Sequence, residues 1–227
     1  MSDTPFKIEL VYDHKDWMLF HKPAGLNFHS EGGELGFVEL AKQQYSMVLW
    51  PVHRLDKPTS GLILLAKSQE SCAVLCSLFS KRNIEKYYIS ICENTLKKKQ
   101  GKIVGDMSKS RNGTYKLLKT KENPAITQFV SKSLMPGYRL CLLKPKTGKT
   151  HQLRVAMKSL SATILGDNRY NGEKSDRLYL HAYAMRFEYG NEWFEFTSPP
   201  VSGEKFQSEL LITAIEDWKK PWQLNWP

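Results

Sequence analysis

Hydrophobic and polar positions alternate with a period of two along many short stretches of the chain and follow helical spacing along a few others. "FKIELVY" and "WMLFHKP" read as two strands around a turn, "GFVELAKQQY" as a helix, and "MVLWPVH" as another strand. After a polar loop, "RLDKPTSG", the continuously apolar run "LILLAKS" predicts a buried strand, "QESCAVLCSLFSKR" an amphipathic helix, and "IEKYYISIC" a half-buried strand. "KKKQGKIVGDMSKSRNGTYKLLKTKENP" is rich in turn residues and reads as a mobile hairpin or loop. Strands follow at "AITQFVSK", "YRLCLLKP", "RLYLHAYAMRFEY" and "WFEFTS". Leu153, Met157 and Leu160 mark a helix, and "EKFQSELLITAIEDWKK" a closing one. Strands outnumber helices and many are consecutive. The predicted class is therefore α+β, with a mixed, largely antiparallel central sheet flanked by helices and loops.

At 227 residues the chain has enough material for one ordinary core, or two small halves sharing one. With no repeat and no long linker, a single domain over residues 1–227 is expected.

Charge adds a partner class. Against 23 Asp and Glu stand 33 Lys and Arg, a formal charge of +10. The excess is clustered: residues 97–122 hold nine Lys or Arg and two acids, and residues 141–158 hold five and none. Clustering of this kind favours a polyanion such as RNA or DNA over general solubility. The four cysteines, Cys72, Cys76, Cys92 and Cys141, form no C-x-x-C pair and stand near no His at ligand spacing. No metal site and no disulfide framework are expected, and Cys72 and Cys76 read as core thiols. No stretch approaches the roughly 20 apolar residues of a membrane helix, and the first residues lack a secretory pattern. A cytoplasmic protein, away from membranes, is the expectation.

"KPKTGKTHQLRVAMK" ends a basic run on Gly148-Lys149-Thr150, the last three positions of a phosphate-binding loop. Such a loop needs a glycine five residues before Gly148, where its backbone approaches the phosphate, and that position is Leu143. A nucleotide cofactor is excluded on that ground. The densest polar cluster lies elsewhere, in "PVHRLDKPTSGLILLAK", between two apolar strands.

"HRLDKPTSG" resembles the H-R-L-D-x-x-T-S-G signature of the RluA family of RNA pseudouridine synthases, whose aspartate is catalytic. Other pieces of the family pattern occur in order: "HKPAGL" from His21, the K-x-Y strand at Lys86 to Tyr88, G-R-T-H-Q-I-R at residues 148–154, then "ILGDNRY" and "LYLHA". The resemblance covers about residues 6 to 217. It implies that the chain isomerises a uridine in a ribosomal or transfer RNA stem-loop to pseudouridine, without cofactor or metal. The N-glycosidic bond breaks, the uracil turns, and its C5 bonds to the sugar.

The same resemblance assigns residues. Asp56 is the catalytic carboxylate, as nucleophile or as base toward the ribose. Arg154 would face it and hold it ionised against the cost of burial. Tyr88 would lie against the uracil, extruded from the RNA, and handle the C5 proton. Leu153 would pack against the base, and Arg54 would fill the space it leaves. Lys22, Lys86 and Lys149 complete the expected substrate contacts. His53, His151 and His181 read as structural, because the reaction needs no imidazole. Lys149 replaces the family's arginine, keeping the charge but not the bidentate fork. The small N-terminal RNA-binding domain of many relatives is not expected, and a monomer is. The competing reading is a catalytically silent RNA-binding protein or RNA chaperone on the same scaffold.

Overall fold

The computed structural model describes residues 7–93 and 96–227, and the chain divides into two compact units, Met1–Ile84 and Glu85–Pro227. The first unit is built on strands β1 (Glu9–Asp13), β2 (Trp17–Lys22) and β4 (Ser60–Ala66), joined antiparallel in that order. Phe6, at the start of the predicted first strand, lies outside the described residues. Helix α1 (Phe37–Tyr45) follows β2, and a two-residue strand β3 (Trp50–Pro51) pairs with the end of β4. The predicted "MVLWPVH" strand is thus cut to two residues. Every residue of β2 and β4 is buried, as the apolar run of β4 foretold. Trp17, Phe20 and Phe37 anchor the core, with the two phenylalanine rings edge-to-face at 5.9 Å.

Helix α2 (Gln69–Ser80) starts where its sequence allows. Ser68 accepts from the Ser71 backbone N–H and Ser71 returns the bond, a reciprocal cap that satisfies two otherwise orphaned donors. It buries little beyond Leu75. Cys72 and Cys76 are consequently not core thiols: Cys72 is half-buried and Cys76 exposed, with their sulfurs 3.9 Å apart along the helix.

The second unit carries β5 (Glu85–Glu93), β6 (Gln100–Gly105), the hairpin β7 (Met107–Lys109) and β8 (Tyr115–Leu117), β9 (Ala125–Met135), β10 (Tyr138–Pro145), helix α3 (Gln152–Ser159), β11 (Leu180–Tyr189), β12 (Glu192–Thr197) and helix α4 (Glu209–Ile215). Its sheet runs β12–β11–β5–β10–β9–β6. Every strand pair described within the two units is antiparallel, so the α+β class with a largely antiparallel sheet holds. The basic stretch expected to be a mobile hairpin or loop does contain a hairpin, β7 and β8, while β6 instead closes one sheet edge. Asp106 ties its base by accepting from the backbone N–H groups of Glu122 and Asn123. The closing helix is broken at Ser208, whose extended backbone and hydroxyl cap α4 on the Leu211 N–H. Short 3₁₀ turns stand on either side.

A turn after α3 returns the chain to β11. Gly166 there has φ +77°, and a Cβ would meet the Arg177 carbonyl oxygen at 1.7 Å. Gly166→Ala combines a left-handed backbone with an unavoidable clash. We expect it to lower the unfolding free energy by about 3 kcal/mol or more, read from denaturant midpoints.

Candidate functional site

In the first unit, Asp56 sits on the loop between β3 and β4, pinned at both ends. On the entry side, His53 Nε2 accepts the Leu64 N–H at 2.9 Å while its ring stacks on Phe79 at 4.4 Å. His53 is therefore structural, as an acceptor. On the exit side, Lys22 is fully buried at the end of β2, and its ammonium donates to the carbonyls of Pro23 (2.9 Å), Lys57 (3.1 Å) and Thr59 (2.9 Å). Three acceptors match the three protons of an ammonium. The structure thus places Lys22 under the loop, out of reach of a phosphate in solvent, rather than at a substrate-facing surface. Gly25 adds a backbone bond to the Lys57 carbonyl, and Thr59 N–H closes a turn on the Asp56 carbonyl at 3.0 Å. Leu55 is buried while Arg54 is exposed and Asp56 half-buried. Between the anchors, the Leu55 side chain points into the core and the carboxylate is held on a rigid backbone.

In the second unit, β5 carries Lys86 and Tyr88 on one face, two residues apart. Tyr88 is half-buried and packs against the core that includes Leu153. Its neighbour Tyr87 points the opposite way: it is fully buried, and its hydroxyl donates to Glu85 at 2.6 Å. Burial and that carboxylate push the Tyr87 hydroxyl far above the ordinary range. Burial also lowers the Lys86 pKa, and its ammonium would lie 3.9 Å from a Cβ at Gly148.

The loop from β10 to α3 is organised by Gln152, which sequence reasoning left without a role. Its side-chain oxygen accepts from the Thr147 hydroxyl (2.7 Å) and the Lys149 N–H (3.0 Å), and its amide donates to Ile126 O and Thr127 Oγ1 (3.0 Å each). Its oxygen thus holds the "TGKT" turn and its amide nitrogen ties that turn to β9. Lys149 is half-buried. His151 begins the helix with φ 57° and meets the Tyr170 hydroxyl at 2.9 Å. His181 is fully buried, with Nε2 at 2.8 Å from Ser198 O.

One turn into α3, Arg154 is buried. Its Nε donates to Asp167 Oδ2 at 2.8 Å and its Nη2 to Oδ1 at 2.6 Å, and its guanidinium lies 5.1 Å from the centre of the Tyr170 ring. These two bonds use two of its five N–H donors. Asp167, fully buried, also accepts from the Tyr170 N–H. The arginine expected to face Asp56 thus has a buried acid within its own unit. Asp167 lies in "ILGDNRY", but thirteen positions of separation along an irregular loop gave no sign of the pairing. Asp56 belongs to the first unit, and Tyr88, Leu153 and Arg154 to the second.

Among the described residues, no group of three or more His, Cys, Asp or Glu could hold a metal ion, and no helix is long and apolar enough to cross a membrane.

Comparison with known proteins gives a consistent answer. Residues 16–159 match the family model described as RNA pseudouridylate synthase. The chain is 50% identical over 213 residues to an "uncharacterized RNA pseudouridine synthase" of Haemophilus influenzae, covering 92% of this chain and 95% of that one. It is 33% identical over 190 residues to the ribosomal large subunit pseudouridine synthase C of Rickettsia bellii, covering 76% of this chain and 61% of that longer relative. The solved structure of the human RNA pseudouridylate synthase domain containing 1 shares the fold, with TM-score 0.73 at 23% identity over 86% of this chain and 84% of that one.

Breaking the Arg154–Asp167 pair takes a buried carboxylate and two charge-assisted hydrogen bonds away from a buried guanidinium. Asp167→Asn should cost about 3–5 kcal/mol of stability in denaturant titration. A second prediction concerns Glu85. Burial pushes its carboxyl up, but hydrogen bonds from Lys144 and Tyr87, with the charges of Lys144 and Lys146, outweigh that and hold it below its ordinary value of 4.5. A carboxyl with a depressed folded pKa stabilises above the unfolded value, and that stability is lost as pH falls through the folded one. The denaturation midpoint should therefore fall more steeply below about pH 4.5 in the wild type than in Glu85→Gln.

Proposed function

The chain belongs to the RNA pseudouridylate synthase family, enzymes that isomerise uridine in RNA, and from that membership we propose that Asp56 is its catalytic carboxylate. The observation that carries this assignment is the pinning of "HRLDKPTSG" between His53 and Lys22. One end of the loop is fixed by the half-buried His53 and the other by the fully buried Lys22, and the carboxylate stands half-buried between them. A reacting group on so short a leash loses little entropy when substrate arrives.

In the proposed reaction the bond from uracil N1 to the ribose C1′ breaks, the base rotates, and C5 bonds to C1′. The C5 proton leaves and N1 gains one, so nothing is oxidised or reduced. Asp56 acts at the sugar, as nucleophile or base. Tyr88 supplies the ring on which the extruded uracil lies, and in this reading its hydroxyl exchanges the C5 proton. Leu153 lends an apolar contact to the base and Arg154 supplies the guanidinium of the site. Arg54, exposed on the Asp56 loop, enters the RNA in place of the uridine. Lys86 and Lys149 neutralise RNA phosphates, while Lys22 serves by positioning the Asp56 loop. We further propose that the chain acts as a single catalytic domain, a monomer in the cytoplasm, on structured ribosomal or transfer RNA, with neither metal nor cofactor.

The test is a pseudouridine map, by carbodiimide-blocked primer extension, of RNA from cells lacking the protein and from cells restored with wild type or Asp56→Asn. A site lost on deletion and regained only with wild type is the expected result. Purified Asp56→Asn should bind RNA within a few-fold of wild type and form no pseudouridine. Turnover by the variant comparable to wild type would remove Asp56 from the mechanism. Absence of any lost site would favour the silent RNA-binding protein.

A further inference from the structure

Outside the residues assigned above, the second unit holds a cleft of about 750 Å³, a size at which pockets commonly take small molecules. One wall is the tip of the β7–β8 hairpin, and the other is the 3₁₀ turn Asn168–Tyr170 together with Lys158 at the end of α3. The walls are latched to each other. The Tyr115 N–H donates to the Tyr170 hydroxyl at 3.0 Å, and Arg169 Nη1 donates to the Gly113 carbonyl at 3.3 Å. The cleft is therefore formed before any ligand arrives, and binding there need not first order a loop.

Its chemistry is selective. Arg111, Lys158 and Arg169 supply three cations and the lining contains no acid, so an anion is favoured and a cation excluded. The side-chain amides of Asn112 and Asn168 each offer a donor and an acceptor, the combination that the edge of a nucleobase pairs with. Tyr115 adds an aromatic face, and its ring is fixed edge-on to His151 at 5.7 Å. A bare phosphate site would need neither the amides nor the ring. An acidic peptide would use the cations and leave the tyrosine without purpose.

We propose that this cleft takes an unpaired nucleotide of the substrate RNA, distinct from the uridine that is isomerised. Phosphates lie on Arg111, Lys158 and Arg169, and the base lies on Tyr115 beside the two amides. The inference rests on the reading of the chain as an enzyme that acts on RNA. The cleft also has a physical connection to the catalytic residues of its own unit. Tyr170, which lines it, touches both His151 and the Arg154 guanidinium, and Asp167 caps the turn that carries it. An occupied cleft thus braces the Arg154–Asp167 pair, so that a flanking nucleotide is read at the same time as the target is held.

The experiment measures affinity of the full chain for two fluorescent probes, a single-stranded RNA of about 12 nucleotides and a blunt RNA duplex of equal length. Tyr115→Ala should weaken the single strand about fivefold or more and leave the duplex unchanged. Tyr115→Phe, which keeps the ring, should restore binding and exclude collapse of the hairpin as the cause. The Arg111→Ala, Lys158→Ala pair should lower the salt slope of single-strand binding by about 1.4. Equal weakening of both probes by Tyr115→Ala, or none, overturns the proposal. Displacement of the single strand by polyglutamate as effectively as by unlabelled RNA also overturns it, in favour of an acidic protein segment. Pseudouridine formation by wild type on ribosomal and transfer RNA transcripts, read by mass spectrometry, separates this inference from its premise. Absent pseudouridine with Tyr115-dependent binding defeats the enzymatic reading alone, and normal pseudouridine with Tyr115-independent binding defeats the cleft alone.

Discussion

A charged side chain leaves water at a cost of several kcal/mol, and is held inside a protein only by a partner whose geometry returns most of that cost. In the second unit this constraint is met by Arg154 and Asp167. Their fork-to-carboxylate bonds join the first turn of α3 to the irregular loop that follows it. Asp167 then caps the turn bearing Tyr170, Tyr170 reaches back to His151 and Arg154, and its hydroxyl receives the N–H of Tyr115 from the hairpin. One buried ion pair thereby fixes a helix, a loop and a hairpin that no sheet hydrogen bond connects. The two-bond geometry also shows why an arginine suits this position. A lysine would keep the charge but make only one of the two parallel bonds.

The first unit solves a similar problem with a different cation. A polar loop rich in backbone carbonyls cannot leave them unpaired beside a core of Trp17, Phe20 and Leu64, because each lost bond costs about 1–3 kcal/mol. The Lys22 ammonium satisfies three of them at once and draws the loop against the end of β2. In both units, then, a buried cation holds a loop in place, and the residues with candidate chemistry stand on or beside those loops. Gln152 completes the pattern without charge, its oxygen accepting from the "TGKT" turn and its amide nitrogen donating to β9.

The elements readable in advance were those whose signal is local. The buried strand β4 follows from an unbroken apolar run, β5 from alternation, and α2 from an amphipathic stripe. Where reading failed, a non-local partner decided. "MVLWPVH" has strand composition, yet only Trp50 and Pro51 find a ladder partner, on β4. The basic stretch after β5 has loop composition, yet the edge of β9 supplied hydrogen bonds that order β6. Cys72 and Cys76 lie at helical spacing, but the helix turns only Leu75 fully inward. Asp56, Tyr88 and Arg154 were found through motif resemblance, and no periodicity would have singled them out.

By itself, the sequence determined the α+β class, the basic character that points to a polyanion such as RNA or DNA, the order of the motifs, and the absence of a phosphate loop at Leu143. These depend on residue type and spacing, which survive any arrangement of the chain. Only the tertiary structure decided that Lys22 lies beneath its loop, that Arg154 pairs with Asp167, and that the hairpin and the Asn168–Tyr170 turn flank an open cleft. Each requires groups distant in sequence to meet at hydrogen-bond distance. The free energy that selects such meetings comes from burying charge and backbone together, a property of the packed chain that no short stretch carries.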